Sequence, residues 1–241
     1  LEAIKKTILL GMALDCQIAE HTFFERKNYF YPDLPKGYQI SQYQAPLCEN
    51  GFLEIDGHKI KVRRVHIEED TGRLLYDPKG KYSLIDFNRA GIPLMELVTE
   101  PDLHSGEEVR KFGEELQLIL RYLGISDADM QKGQMRVEVN ISVKKAGSKE
   151  LGTKVELKNI NSFRFAAQAV DYEIKRQAEI LAEGKKMVQE TRGWDEIKQK
   201  TFYKRYNDRF IFSCDKYIFR SYSKSIICAN RSTKRNCSIF S

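Results

Sequence analysis

The stretch Asp86–Asp102, "DFNRAGIPLMELVTEPD", sets one carboxylate, Glu96, inside an otherwise apolar run from Ile92 to Val98. A lone buried carboxylate is costly or takes up a proton, so this residue asks for a cation. A hard divalent ion such as Mg2+ would serve, because it binds one or two carboxylates together with substrate phosphates. A guanidinium would also serve, and Arg89 lies just upstream in the Asn-Arg-Ala-Gly corner. Glu69 is the second candidate, since Val65, Ile67 and Glu69 share one strand face and the acid continues an apolar row. Glu138 and Glu156 stand on polar strand faces among Arg136, Lys154 and Lys158.

If Glu69 and Glu96 converge they make a hard-oxygen site. Cations on the adjacent strands could then hold a nucleotide's phosphates or offset charge as a phosphoryl group moves. The polar face of a small antiparallel sheet would become an ATP–Mg2+ surface. The blander alternative pairs Glu96 with Arg89 and leaves the Arg-Glu-Asn and Lys-Glu-Lys rows as solvated cross-strand ion pairs. No glycine-rich phosphate loop of standard spacing is present. His66 and His104 lack metal-ligand spacing, which makes His66 a surface or supporting residue, and no Ser-His-Asp or Cys-His arrangement stands out.

The elements that must position these groups are legible in outline. Residues 2–19 read as a helix with Ile4, Ile8, Met12 and Leu14 near one face. "KNYFYPDLPKGYQISQY" follows as a shaped loop ending in a strand at Tyr38–Tyr43. Asp56-Gly57 is a two-residue hairpin turn. In its second strand the apolar phase slips at Arg63-Arg64, which predicts a β-bulge. Beyond the slip, His66, Glu68 and Asp70 occupy the face opposite Val65, Ile67 and Glu69.

A second hairpin is centred on Asp77-Pro78-Lys79-Gly80. Ser105 and Glu108 form a capping box before an amphipathic helix that Gly124 ends. "MRVEVNISV" and "TKVELKNI" alternate and pair antiparallel across a short connection. A long helix then runs from Ser162 to about Glu183, with Asn161 as N-cap and Gly184 at its end. The predicted class is α+β, an antiparallel sheet with inserted helices.

The chain has 241 residues and a net charge of +6, which on its face suggests a nucleic-acid binder. Residues 197–241, however, carry 11 Lys+Arg against 2 Asp+Glu, so the first 196 are net negative at −3. The basic balance belongs to the tail. That tail lacks Gly, Pro and any sustained period, and holds Cys214, Cys228 and Cys237 without C-x-x-C spacing. The expected division is a catalytic domain over 1–196 and a basic aberrant or disordered tail over 197–241. Cys16 and Cys48 suit a reducing cytosol. No apolar window reaches the length of a membrane span. The start has neither an initiator Met nor a signal-peptide pattern, so the chain is expected to begin inside a longer protein.

Five blocks, "NYFYPDLPKGYQISQY", "VHIEEDTG", "DFNRAGIPLMEL", "MRVEVNIS" and "GTKVELKNINSF", resemble the B subunits of the aspartyl/glutamyl-tRNA amidotransferase family in order and spacing. The resemblance implies a glutamine-synthetase-like catalytic fold, the cradle domain. It implies an ATP-dependent ligase that phosphorylates the side-chain carboxylate of Glu or Asp mischarged on tRNA. Ammonia from the family's A subunit then displaces phosphate, with the C subunit tying the two together and Mg2+ assisting. Carried over by position, Glu69, Glu96 and Glu138 are the expected catalytic and metal-binding residues. Arg89, Lys154 and Lys158 are the expected ATP-binding residues.

The resemblance also marks departures. The family's first strand, whose Glu and His complete the metal site, and the paired zinc cysteines that follow it in many bacterial members, precede Leu1 in the family pattern. Zinc is therefore not expected here, and the chain is expected to be inactive alone. The family's tRNA-docking domains would follow residue 196. The implied compartment is the cytoplasm or an organellar matrix. The competing readings are a non-catalytic RNA-binding scaffold that uses the basic tail and an unrelated small-molecule kinase of the same fold.

Overall fold

The computed structural model describes residues 1–77, 82–148, 150–204 and 237–239, with the side chains of Tyr76 and of 237–239 outside the description. In chain order the elements begin with α1 (Glu2–Ala13), β1 (Gln17–Ile18), β2 (Glu25–Asn28), β3 (Tyr38–Ser41), β4 (Cys48–Ile55) and β5 (His58–Glu69). They continue with β6 (Arg73–Tyr76), β7 (Ser83–Asp86), β8 (Pro93–Thr99), α2 (Gly106–Tyr122), β9 (Val137–Ile141) and β10 (Val143–Lys145). The last are β11 (Val155–Ile160), α3 (Phe163–Ala182), β12 (Glu190–Asp195), β13 (Lys200–Tyr203) and β14 (Cys237–Ile239).

Two four-stranded sheets carry the architecture, ordered β1-β4-β5-β8 and β13-β12-β11-β9. Pairings are antiparallel except β11 with β12, which run parallel because α3 carries the chain back across the sheet. The mixed α and β class with mainly antiparallel sheets agrees with the sequence expectation. One core joins the sheets' apolar faces to the helices, through Ile60, Val65, Leu97, Phe112, Leu116, Val139, Leu157, Val170 and their neighbours. Among the described residues no helix is long and apolar enough to cross a membrane.

Local chemistry explains the hairpins and caps. Asp56 and Gly57 both hold positive φ, 49° and 74°, the backbone that a two-residue turn needs to keep β4 and β5 in register. The bulge sits where the phase slip placed it. The β5–β8 register shifts between Val62↔Thr99 and Arg64↔Val98. At α2, Ser105 accepts from Glu108 N at 3.2 Å while Glu108 accepts from His104 N. The cap of α3 lies one residue later than expected, at Ser162, which accepts from Phe165 N at 3.2 Å. A Cβ on Gly106 would strike the Ala167 carbonyl and one on Gly113 the Phe163 ring, so both glycines let α2 approach α3 closely.

Helix α1 is shorter than the predicted 2–19, because Leu14 leaves the helical wells and Asp15 takes φ 54°. Its buried stripe is Thr7, Leu10 and Gly11, continued by Leu14, whereas Met12 is exposed. The strands of the second hairpin, β6 and β7, pair as expected, while its turn residues 78–81 lie outside the described residues.

The boundary expected at Glu196 falls inside an intact hairpin. β12 and β13 pair through Trp194↔Thr201 and Asp195↔Lys200. A buried acid explains why the sheet continues. Glu173 on α3 is fully enclosed; Arg176 lies 2.6 Å from it and Arg192 3.6 Å. It also accepts from Gln177 Nε2 and Thr201 Oγ1, each at 3.0 Å. The rest of the expected tail, 205–236 and 240–241, lies outside the described residues, as do Cys214 and Cys228 and the side chain of Cys237.

Candidate functional site

Register decides which side chains meet. β5 and β8 pair as His66↔Glu96, Ile67↔Met95, Glu68↔Leu94 and Glu69↔Pro93. Directly opposed residues share a face and the face alternates along each strand. His66, Glu68 and Glu96 therefore stand together, and Asp70 follows at the next step. All four are buried, at 2%, 2%, 1% and 2% exposure. One ligand atom from each of His66, Glu68 and Glu96 lies within 4.8 Å of the others.

β3 and the residue just after it cover this end of β5. Where β4 stops pairing, Gln42 Oε1 accepts from Ile67 N at 3.0 Å and Gln39 Nε2 donates to the Glu69 carbonyl at 2.6 Å. The glutamines of "YQISQYQ" thus replace a missing strand partner and fix where the acidic row lies.

Glu69 does not join Glu96. It projects from the opposite face, where Lys36 Nζ lies 2.6 Å from both of its oxygens and Ile40 N donates to it at 3.1 Å. The cause is parity: Glu69 lies three positions, an odd number, beyond His66, the partner of Glu96. Of the two roles expected for His66, surface or supporting, the surface one fails, since His66 is buried directly opposite Glu96. The signal was present in the alternating row His66-x-Glu68-x-Asp70, but the apolar side of the strand drew the assignment.

Glu138 stands apart from that trio, on the polar face of β9. Lys158 Nζ lies 4.0 Å from Glu138 and 3.4 Å from Glu156, and Thr191 Oγ1 donates to Glu156 at 3.0 Å. Lys154 heads the same lysine row, and burial pushes its amine down to about 8, against the opposing pull of Glu156. Arg89 forms its ion pair with Asp70. Its Nε lies 3.2 Å from Asp70 Oδ2, and Arg136 at the entry to β9 comes within 3.7 Å of the same oxygen. Nearby Asp33 is held above the usual carboxyl range, by burial first and by Asp70 in smaller part.

Two carboxylates and an imidazole within 4.8 Å suit one divalent cation, whose charge would balance both acids. Oxygen ligands fit Mg2+. The imidazole widens the choice to Mn2+ or Zn2+. Arg136 joins this face to the Glu138–Lys158 row, so the acidic and basic rows meet at Asp70.

Residues 1–211 match the family model described as the GatB/GatE catalytic domain. The chain is 56% identical over 201 residues to the B subunit of the aspartyl/glutamyl-tRNA(Asn/Gln) amidotransferase of Caldicellulosiruptor saccharolyticus, covering 82% of this chain and 42% of that protein. The Thermodesulfovibrio yellowstonii protein of the same name is 52% identical over 198 residues, 80% of this chain and 42% of the relative. The B subunit of the chloroplastic/mitochondrial glutamyl-tRNA(Gln) amidotransferase of Oryza sativa subsp. japonica is 50% identical over 211 residues, 83% and 39% respectively. The chain spans about two fifths of the length of these relatives.

Proposed function

The chain belongs to the GatB/GatE catalytic domain family, and on that premise we propose that it forms the ATP-dependent centre of the B subunit of a tRNA amidotransferase. Its fold is read as glutamine-synthetase-like. The reaction transfers the γ-phosphoryl group of ATP to the side-chain carboxylate of Glu or Asp esterified to tRNA-Gln or tRNA-Asn, releasing ADP. Ammonia then attacks the acyl carbon and phosphate departs, leaving Gln or Asn on the tRNA. The partners are the A subunit, an amidase that supplies ammonia, the C subunit, and the misacylated tRNA. The compartment is the cytoplasm or an organellar matrix.

The observation that carries this reading is the enclosed His66–Glu68–Glu96 trio, followed on the same strand face by Asp70 with Arg89 and Arg136. His66, Glu68 and Glu96 would hold Mg2+, which supplies charge neutralisation between phosphate and carboxylate oxygens. Burial of the trio keeps water off the reacting carbonyl and strengthens each charge contact. Lys158, held between Glu138 and Glu156, and Lys154 present positive charge along β11. With its amine near 8, Lys154 carries most of its charge at neutral pH. Arg89 contributes from the corner that turns the chain into β8.

Calorimetry with MgATP tests the reading. Binding that requires Mg2+ and falls at least tenfold in Glu96→Gln is expected; binding indifferent to both refutes it. If nucleotide does not bind but RNA does, with steep salt dependence that disappears on removing residues 205–241, the scaffold reading replaces it.

A further inference from the structure

Asp70 is the one acid of the β5 row outside the metal trio, and it is arranged differently. The strand ladder continues to it, since Asp70 N donates to the Ile92 carbonyl at 2.8 Å and Gly91 N donates to the Asp70 carbonyl at 2.9 Å. Its carboxylate is 2% exposed and lies under two guanidiniums, Arg89 from the corner before β8 and Arg136 from the entry to β9. Those side chains remain 30% and 31% exposed. One carboxylate offers about four acceptor positions, whereas two guanidiniums bring about ten N–H donors. Nearby Asp33 offsets the second guanidinium, so the group is close to neutral as a whole, but its acids are buried below while its guanidiniums are partly open above.

Position gives this charge a use. Asp70 is two residues beyond Glu68, about 6.6 Å along the strand. Neighbouring positions on one strand face are close enough that a single phosphate would reach both a cation held by the trio and a guanidinium at Asp70. An ion neutralising Glu68 and Glu96 would remove the acidic charge that otherwise repels an anion from the exposed guanidinium edges. Arginine rather than lysine suits the task, because its planar fork can grip two oxygens of one phosphate.

Resting on the reading of the trio as an MgATP site, we infer that Arg89 and Arg136 form a clamp for the terminal phosphate of ATP. Asp70 is the positioning residue that holds both guanidiniums. The two arginines come from segments 47 positions apart, so the clamp exists only when the two sheets are docked.

Titration of the full chain with ATP and with ADP, both in Mg2+, tests this. In the unaltered chain ATP should bind more tightly than ADP. Arg89→Gln and Arg136→Gln should each weaken ATP about tenfold while leaving ADP within twofold. Asp70→Asn should lower the ATP/ADP ratio in the same way, and Arg136→Lys should recover part of it. Melting curves select the folded variants. If Arg136→Gln does not fold, Arg89→Gln and Arg136→Lys report the same ratio. An unchanged ratio, or equal losses for ATP and ADP, overturns the clamp and leaves the MgATP reading standing. Absence of any Mg2+-dependent nucleotide binding by the unaltered chain overturns both.

Discussion

Replacing Glu96 by Gln should stabilise the metal-free chain, contrary to the usual effect of altering a buried residue. Glu68 and Glu96 place carboxylate oxygens within 4.8 Å of each other at 1–2% exposure. With both ionised and an effective dielectric of about 20, their repulsion is about 3 kcal/mol. Glutamine keeps the shape and removes one charge. In a chelator at pH 8, Glu96→Gln should therefore melt above the unaltered chain, by about 6 to 12 °C for a domain of this size. Mn2+ at about one hundred times its dissociation constant adds about 2.7 kcal/mol to the unaltered chain. The variant, with an anionic ligand gone, should gain about half of that or less, so the gap in melting narrows with metal. Differential scanning fluorimetry across these conditions suffices. A variant that melts lower in chelator and responds to Mn2+ as the unaltered chain does would refute the reasoning.

The parity assignment is checked by Mn2+ titration followed by electron paramagnetic resonance. Glu68→Gln should lose at least tenfold in affinity, while Glu69→Gln, across the strand with Lys36, should stay within threefold. For Lys154, the folded amine near 8 lies below its unfolded value of 10.5. Below about pH 8 it is protonated in both states and its burial penalty is fully present, and the penalty disappears as pH rises to about 10.5, so its contribution to stability rises over that window. Urea midpoints of the unaltered chain minus those of Lys154→Met should rise between pH 8 and 10; a flat difference contradicts the burial account. Glu173→Ala should cost about 3–5 kcal/mol, since it leaves Arg176 and Arg192 short of a buried partner. Amide exchange should then accelerate at Lys200–Tyr203, and exchange unchanged there would show that Thr201 does not depend on Glu173.

Local signals carried the hairpins, the bulge and both long helices, because each has a short-range cause: paired positive φ at Asp56-Gly57, a phase slip at Arg63-Arg64, a hydroxyl cap at Ser105. The site was half legible. Glu96 was visible as an acid among apolar neighbours, and that inference needs no register. Its partners did need it. Whether Glu68 or Glu69 faces Glu96 depends on which residue of β5 stands opposite, and the bulge upstream resets that count. Both faces of β5 are buried past Val65, so hydrophobicity cannot say which face holds the chemistry. Arg136 and Asp70 were harder still. Their approach is a contact between separate sheets, and nothing in the sequence spacing encodes it. The boundary at Glu196 was misplaced because composition changes there, whereas pairing persists to Tyr203.

The Thr201–Glu173 contact has a practical meaning for anyone cutting this domain out of a longer chain. A stop codon placed by composition, after Glu196, would delete an entire edge strand. It would uncover β12 as a raw sheet margin and open a water path to Glu173, the α3 acid otherwise sealed by that sheet. Such a truncation invites edge-to-edge aggregation, and its insolubility could be misread as a failure of the catalytic half to fold. A cut that keeps this sheet whole must fall beyond Tyr203, so limited proteolysis rather than sequence composition is the sound way to choose it.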